Sequence, residues 1–213
     1  YLQILPLTLI LIVFLLIPVG VIGVVSFWDY TEFSLVPDFV WTNYDELFTS
    51  SVTYSIYIST IKFTILTWLF TVLIGFSVAY FLAFHVRELK WQIVLFLLCT
   101  IPFWTSNIIR MIAWIPVLGR HGLVNDGLIS AGLIDQPLDW LLYSDFAVVL
   151  AFVHLYTLFM VVPLFNSMMR IDRAVIEAAY DAGAGPFRTV WHVILPLCKP
   201  GIAIGTIFIV TLV

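Results

Sequence analysis

The chain has 213 residues, of which 62% are hydrophobic and 10% are charged, and its formal net charge is −4. A soluble domain is typically about half apolar and about a quarter charged, so this composition predicts a protein integral to membrane lipid. No basic tract is present to meet phosphates, which excludes nucleic acid as a partner. Cys99 and Cys198 lack metal-ligand spacing, so we expect free thiols and no metal site.

Apolar runs predict the membrane spans, of which the first covers about 4–27. This run exceeds the apolar region of a signal peptide and has no basic lead, so it reads as a span. The next spans cover about 56–84, 93–115 and 146–165. Residues 201–213 reach only ~20 Å as a helix, short of the ~30 Å hydrocarbon core.

The predicted fold class is therefore all-α, a polytopic transmembrane helical bundle with four complete spans and a truncated fifth. We treat residues 1–213 as a single transmembrane domain. The chain begins at Tyr1 and stops inside an apolar run. We therefore expect it to be truncated at both ends.

The Lys and Arg residues favour one orientation in the membrane. Arg120 is the single Lys or Arg in the connecting segments 28–55 and 116–145, whereas the segments 85–92 and 166–200 are basic. The positive-inside rule therefore places 85–92 and 166–200 in the cytoplasm. Lys62 and Arg110 lie at or near span ends, where we expect snorkelling to the outer interface or pairing with an acidic loop residue. The basic residues assigned to the cytoplasm are Arg87, Lys90, Arg170, Arg173, Arg188 and Lys199.

Segment 166–200 reads as two short helices at an angle. Asp172 is a plausible N-cap for a helix over 173–182. Gly183 suits a left-handed residue that ends this helix, and Pro186 suits the first turn of the next. The pattern leaves two interpretations open: a helix pair that presses against another protein, or an ordered loop that packs on its own bundle.

Residues 177–196, EAAYDAGAGPFRTVWHVILP, resemble the signature of permease subunits in binding-protein-dependent ABC importers (type I, MetI-like fold). That signature is E-A-A, three residues, Gly, nine residues, usually Ile, one residue and Leu-Pro. This sequence departs from it only by having Val193 at the Ile position. The matching residues are Glu177, Ala178, Ala179, Gly183, Leu195 and Pro196.

The resemblance implies that 166–200 is a cytoplasmic two-helix coupling loop that docks on a separate ATPase subunit. It also implies a second permease subunit, identical or a paralogue, and an extracytoplasmic solute-binding protein. The chain has no GxxxxGK[ST] phosphate loop, so we expect no catalytic residue and no cofactor in it, with ATP and Mg bound by the ATPase subunit. The predicted coupling residues are Glu177, Ala178, Ala179, Gly183, Ala184, Gly185, Phe187 and Arg188.

Two further stretches, 101–134 and 147–168, resemble the spermidine/putrescine branch of these permeases. The resemblance runs through PFWTS, Arg110, Ala113-Trp114 and the Gly122 to Asn125 segment. It implies that the cargo is a polyamine and that the location is the bacterial inner membrane. Importers of other small organic or inorganic solutes share parts of this pattern, so that alternative stays open.

Polar and aromatic groups on the predicted spans are candidates for the substrate pathway. Ser, Thr and Asn can equally bind neighbouring helices together, and Trp114 and His154 can equally be structural. An ion-coupled carrier or channel is disfavoured because the complete spans hold no deep acidic residue, and the four scattered histidines disfavour a membrane enzyme. The candidate pathway residues are Trp104, Thr105, Ser106, Asn107, Trp114 and His154.

Overall fold

A computed structural model describes residues 4–31 and 34–213, and most of these residues are helical. The first elements are α1 (Leu5–Val25), the two-residue strands β1 (Asp29–Tyr30) and β2 (Leu35–Val36), α2 (Thr42–Thr49) and α3 (Ser51–His85). There follow α4 (Leu89–Trp104), α5 (Asn107–Ile112), α6 (Ile115–Leu118), α7 (Leu123–Ser130) and α8 (Asp145–Met168). The last three are α9 (Arg173–Asp181), α10 (Pro186–Leu197) and α11 (Lys199–Leu212).

Three described helical segments are long and apolar enough to cross a membrane: α1, α3 and the segment Asp139–Met168 that contains α8. Two bent pairs, α4 with 107–130 and α10 with α11, raise the number to five if each pair forms one span. The all-α membrane class predicted from composition is confirmed. Contacts divide the chain into two units, 1–58 and 59–213, with the division inside α3.

In the first unit, α1 is exposed on every side of its apolar surface, as expected of a helix surrounded by lipid or by other chains. Beyond α1, β1 and β2 pair antiparallel, with Asp29 opposite Val36. The ring of Phe27 lies 4.7 Å from that of Phe39 and 5.2 Å from that of Trp41. This aromatic cluster is typical of a membrane–water interface.

In the second unit, α3, α8 and α11 pack through small residues. Helix α3 buries a row of small residues spaced four apart, and α11 buries Gly201, Gly205 and Ile209. Met160 of α8 is fully buried between Gly75 and Gly205, where an added Cβ would strike its side chain. Membrane helices associate in this way because small residues let the backbones approach closely. The buried row on α3 is Thr67, Thr71, Gly75 and Ala79.

The predicted span over 93–115 is not one continuous helix in the structure. The helix ends at Trp104, and the stretches 89–104 and 107–130 diverge by 92°. Thr105 has extended backbone, its N–H and its hydroxyl both donate to the Pro102 carbonyl (3.3 and 2.7 Å), and Ser106 is extended as well. These local hydrogen bonds satisfy the helix end, and the chain turns at the polar residues 105–107 between two apolar stretches.

Candidate functional site

The first candidate site is the loop 166–200, whose first helix is capped at both ends. The Asp172 carboxylate accepts from the Ala174 N–H at 3.0 Å. At the other end Gly183 has φ +82°, its N–H donates to the Tyr180 carbonyl, and the Ala184 N–H donates to the Ala179 carbonyl. This pair of hydrogen bonds is the Schellman arrangement, and it fixes the bend between α9 and α10.

The faces of α9 divide between the bundle and solvent. Ile176 packs against the core of the second unit and Ala179 is half-buried. Val175, Ala178 and Ala182 are exposed. Helix α9 therefore leaves a face of small side chains open to another chain.

The apolar residues of α10 are divided between the core and the surface. Ile194 is buried and Val190 packs against the core. Phe187, 79% exposed, stacks on the exposed Trp191 with ring centroids 6.4 Å apart. Two large aromatic rings at the surface of a short polar loop are an unusual exposure of apolar area, and Gly185 and Arg188 beside them are also exposed.

Glu177 lies in a cavity of about 260 Å³ between α9 and the C-terminal turn of α3. Arg173 and His85 line the same cavity, which therefore holds groups of both charge signs. No ion pair joins them in the part of the chain that the structure describes. The other lining residues are Tyr80, Phe84, Ile176, Tyr180 and Ile194.

The second candidate site is built from the predicted pathway residues near the break after α4. Trp114 Nε1 donates to His154 Nδ1 at 3.2 Å, with the two rings perpendicular. Asn107 Oδ1 accepts from Arg110 Nη2. Trp104 is 85% exposed and makes no such contact. The structure thus joins Trp114 to His154 and Asn107 to Arg110.

The structure places Arg110 differently from the prediction, which was that its side chain snorkels to the outer interface or pairs with an acidic loop residue. Its side chain is buried, with 7% of the residue exposed, and no carboxylate pairs with it among residues 4–31 and 34–213. The cause is the break at Thr105, which starts α5 in a new direction and packs it against α8. Lys62 does pair with an acidic residue, Asp145.

The sequence interpretation missed two buried polar residues that hold the loops around these sites. Gln92 Nε2 donates to the carbonyls of Leu82 (3.1 Å) and Val86 (2.9 Å) at the end of α3. Asn125 accepts from the Leu138 N–H (2.8 Å) and donates to the Gly119 carbonyl (3.0 Å). The available signal was a single amide side chain at the edge of an apolar run.

Comparison with known proteins finds similarity over most of the chain. The chain is 33% identical over 201 residues to the spermidine/putrescine transport system permease protein PotB of Haemophilus influenzae, covering 93% of this chain and 68% of that protein. It is 30% identical over 200 residues to PotB of Escherichia coli, covering 93% and 71%. The inner membrane ABC transporter permease protein YdcU of Escherichia coli is 27% identical over 198 residues, covering 87% and 62%. No protein-family model matches the chain.

Proposed function

The chain belongs to the polyamine-type family of ABC transporter permeases, and from this premise we propose that it carries putrescine or spermidine into the cell. The observation that carries the proposal is the similarity to two PotB proteins over 93% of the chain. The protein is a transport subunit of the bacterial inner membrane and not itself an enzyme.

We propose one transmembrane domain over residues 1–213, with complete spans at α1, α3, α4 with its continuation, and α8, and a fifth at α11. The length and apolar character of α1, α3 and the segment Asp139–Met168 support three of these spans, and α4 and α11 each meet the same criterion only as part of a bent pair. Loops 85–92 and 166–200 lie in the cytoplasm because they carry most of the Lys and Arg residues.

The loop 166–200 is proposed as the coupling loop that an ATPase subunit moves. Its bend at Gly183 is fixed by hydrogen bonds, so it can transmit force as a rigid unit. Ala178 and Phe187 are exposed for contact with the ATPase, as are Gly185 and Arg188. Glu177 lines the cavity against the end of α3 and Ala179 is half-buried, and the Ala184 N–H completes the cap. ATP and Mg belong to the ATPase.

A second permease subunit and an extracytoplasmic solute-binding protein complete the proposed importer. The substrate pathway is assigned to the region around Asn107, Trp114 and His154, with Trp104, Thr105 and Ser106 at its edge. Aromatic faces attract ammonium groups, which suits a polyamine cargo. The hydrogen bonds from Trp114 to His154 and from Arg110 to Asn107, which bring these residues together, support the assignment.

Uptake in cells tests the proposal directly. Cells that lack the subunit should accumulate no labelled putrescine or spermidine, and the full-length protein should restore uptake. A partner ATPase without its phosphate-loop lysine should abolish the restored uptake, while labelled amino acids and phosphate serve as control solutes. Restored uptake of a control solute, with no polyamine uptake, would contradict the polyamine assignment.

A further inference from the structure

The second unit buries one guanidinium without a counter-ion. Arg110 is more than nine-tenths buried, and Asn107, which is neutral, is its hydrogen-bond partner. Its Nε has no hydrogen-bond acceptor among the described residues. A buried charge that is not paired strongly destabilises a protein, and a buried donor without an acceptor adds to that cost. The fold therefore calls for an acceptor that residues 4–31 and 34–213 do not supply.

The space beside Arg110 is a cavity of about 210 Å³ between the end of α4, α5 and α8. His154 lines it and accepts from Trp114 at Nδ1, so its neutral ring carries the proton on Nε2. The Thr157 hydroxyl, also at the cavity, donates to the Val153 carbonyl. The group at the cavity that lacks a hydrogen-bond acceptor within the described part of the chain is thus the cationic guanidinium of Arg110, at its Nε. The remaining lining is mostly apolar: Val78, Cys99, Pro102, Phe103, Leu155, Leu158 and Val161.

We propose that this cavity binds a carboxylate group, which pairs with Arg110. A guanidinium presents its N–H groups as a planar fork, and a carboxylate matches that fork with two oxygens. The apolar lining lowers the local dielectric and so strengthens the ion pair. The carboxylate comes either from a small free acid or from an Asp or Glu side chain of the second permease subunit.

The pairing has a consequence for the neighbouring pathway residues. Asn107, Trp114 and His154 lie around an arginine that repels an ammonium group while it is unpaired. A bound carboxylate cancels that charge. This effect on an ammonium group rests on the proposed polyamine function. The pairing of Arg110 with a carboxylate does not depend on that function.

The test uses the complete importer complex, purified into lipid nanodiscs in chloride buffer. Thermal unfolding is followed while sodium acetate replaces sodium chloride at constant ionic strength. Acetate should raise the unfolding midpoint of the wild type because a ligand that binds only the folded state stabilises it. Arg110→Gln should weaken the apparent acetate affinity by at least about tenfold, as expected when a charge-assisted pair is lost.

The control variant is Arg120→Gln, since Arg120 is exposed and pairs with Asp139 at 3.3 Å. Its response to acetate should equal that of the wild type. Arg110→Lys keeps the charge but removes the fork, so it should fall between the wild type and Arg110→Gln. Arg110→Lys also provides the comparison with the wild type if Arg110→Gln does not fold.

A carboxylate from the second permease subunit predicts a different pattern. Acetate then has no effect, but the Arg110 variants recover less of the second permease in a pull-down than Arg120→Gln does. The proposal is overturned if acetate leaves the wild-type midpoint unchanged and the Arg110 variants retain the second permease. No transport is measured, so this failure is distinct from failure of the polyamine assignment.

Discussion

At the scale of single residues, Gly183 has a backbone that few residues can adopt. Its φ of +82° lies in the left-handed region, and an added Cβ would meet no atom within 4 Å. The restriction is therefore conformational and not steric. Because a left-handed conformation costs a side chain with a Cβ about 1–2 kcal/mol, Gly183→Val should distort the bend or separate α9 from α10.

Gly183→Val is expected to lower polyamine uptake and the amount of ATPase that co-purifies. Gly183→Asn is the matched variant, since Asn tolerates the left-handed region far better than Val. Uptake and co-purification should both be measured after equal expression is verified. Equal losses in both variants would argue against backbone conformation as the cause.

Arg110, Gln92 and Asn125 mark the limit of residue-level prediction. Each is buried, and each has partners from other segments or lines a cavity with them. A lone polar residue in an apolar sequence carries no signal of which distant carbonyl it meets. The capping residues Asp172 and Gly183 were predictable because their partners lie within four residues along the chain.

At the scale of elements, α8 and α11 approach closely at Gly201. A Cβ placed there would lie 2.6 Å from the Pro163 carbonyl oxygen, a backbone atom that cannot move aside cheaply. Gly201→Val should therefore push α11 away from α8 and lower stability by about 1–3 kcal/mol, the usual cost of overpacking. The measurement is the thermal unfolding midpoint of the purified subunit in detergent.

Gly20→Val is the control for this prediction. Gly20 lies in α1, where an added Cβ would meet nothing within 4 Å. Its unfolding midpoint should match that of the wild type. A midpoint for Gly201→Val as high as that of Gly20→Val would contradict the close packing of α8 against α11.

Apolar runs predicted the long helices but not the break between α4 and α5. The segments 4–27, 56–84 and 146–165 each fall on one long helix. The break depends instead on Thr105, whose N–H and hydroxyl donate to the Pro102 carbonyl and end the helix at the short polar stretch 105–107. Hydropathy along the sequence indicates how long an apolar segment is and whether it is buried. It does not indicate where a helix breaks within that segment.

At the scale of the whole molecule, a continuous path joins the coupling loop to the packed helices. Helix α10 ends at Leu197 and α11 begins at Lys199, with a 67° bend between them. Cys198 at that bend is fully buried, and α11 packs along α8. In the proposed importer, we expect a displacement of α10 by the ATPase to move α11 against α8 and so to act on the proposed pathway.

Cross-linking of the assembled importer tests this coupling most directly. Cysteine is introduced at Val175 or Phe187 in a chain whose Cys99 and Cys198 are replaced, and the control site is Tyr143, which is 90% exposed. A short bifunctional thiol reagent should join the ATPase subunit to the cysteines at 175 and 187 and not to the one at 143, with a yield that changes when ATP binds. If neither site forms a cross-link in a complex that still transports polyamine, the loop is not the contact through which the ATPase drives transport.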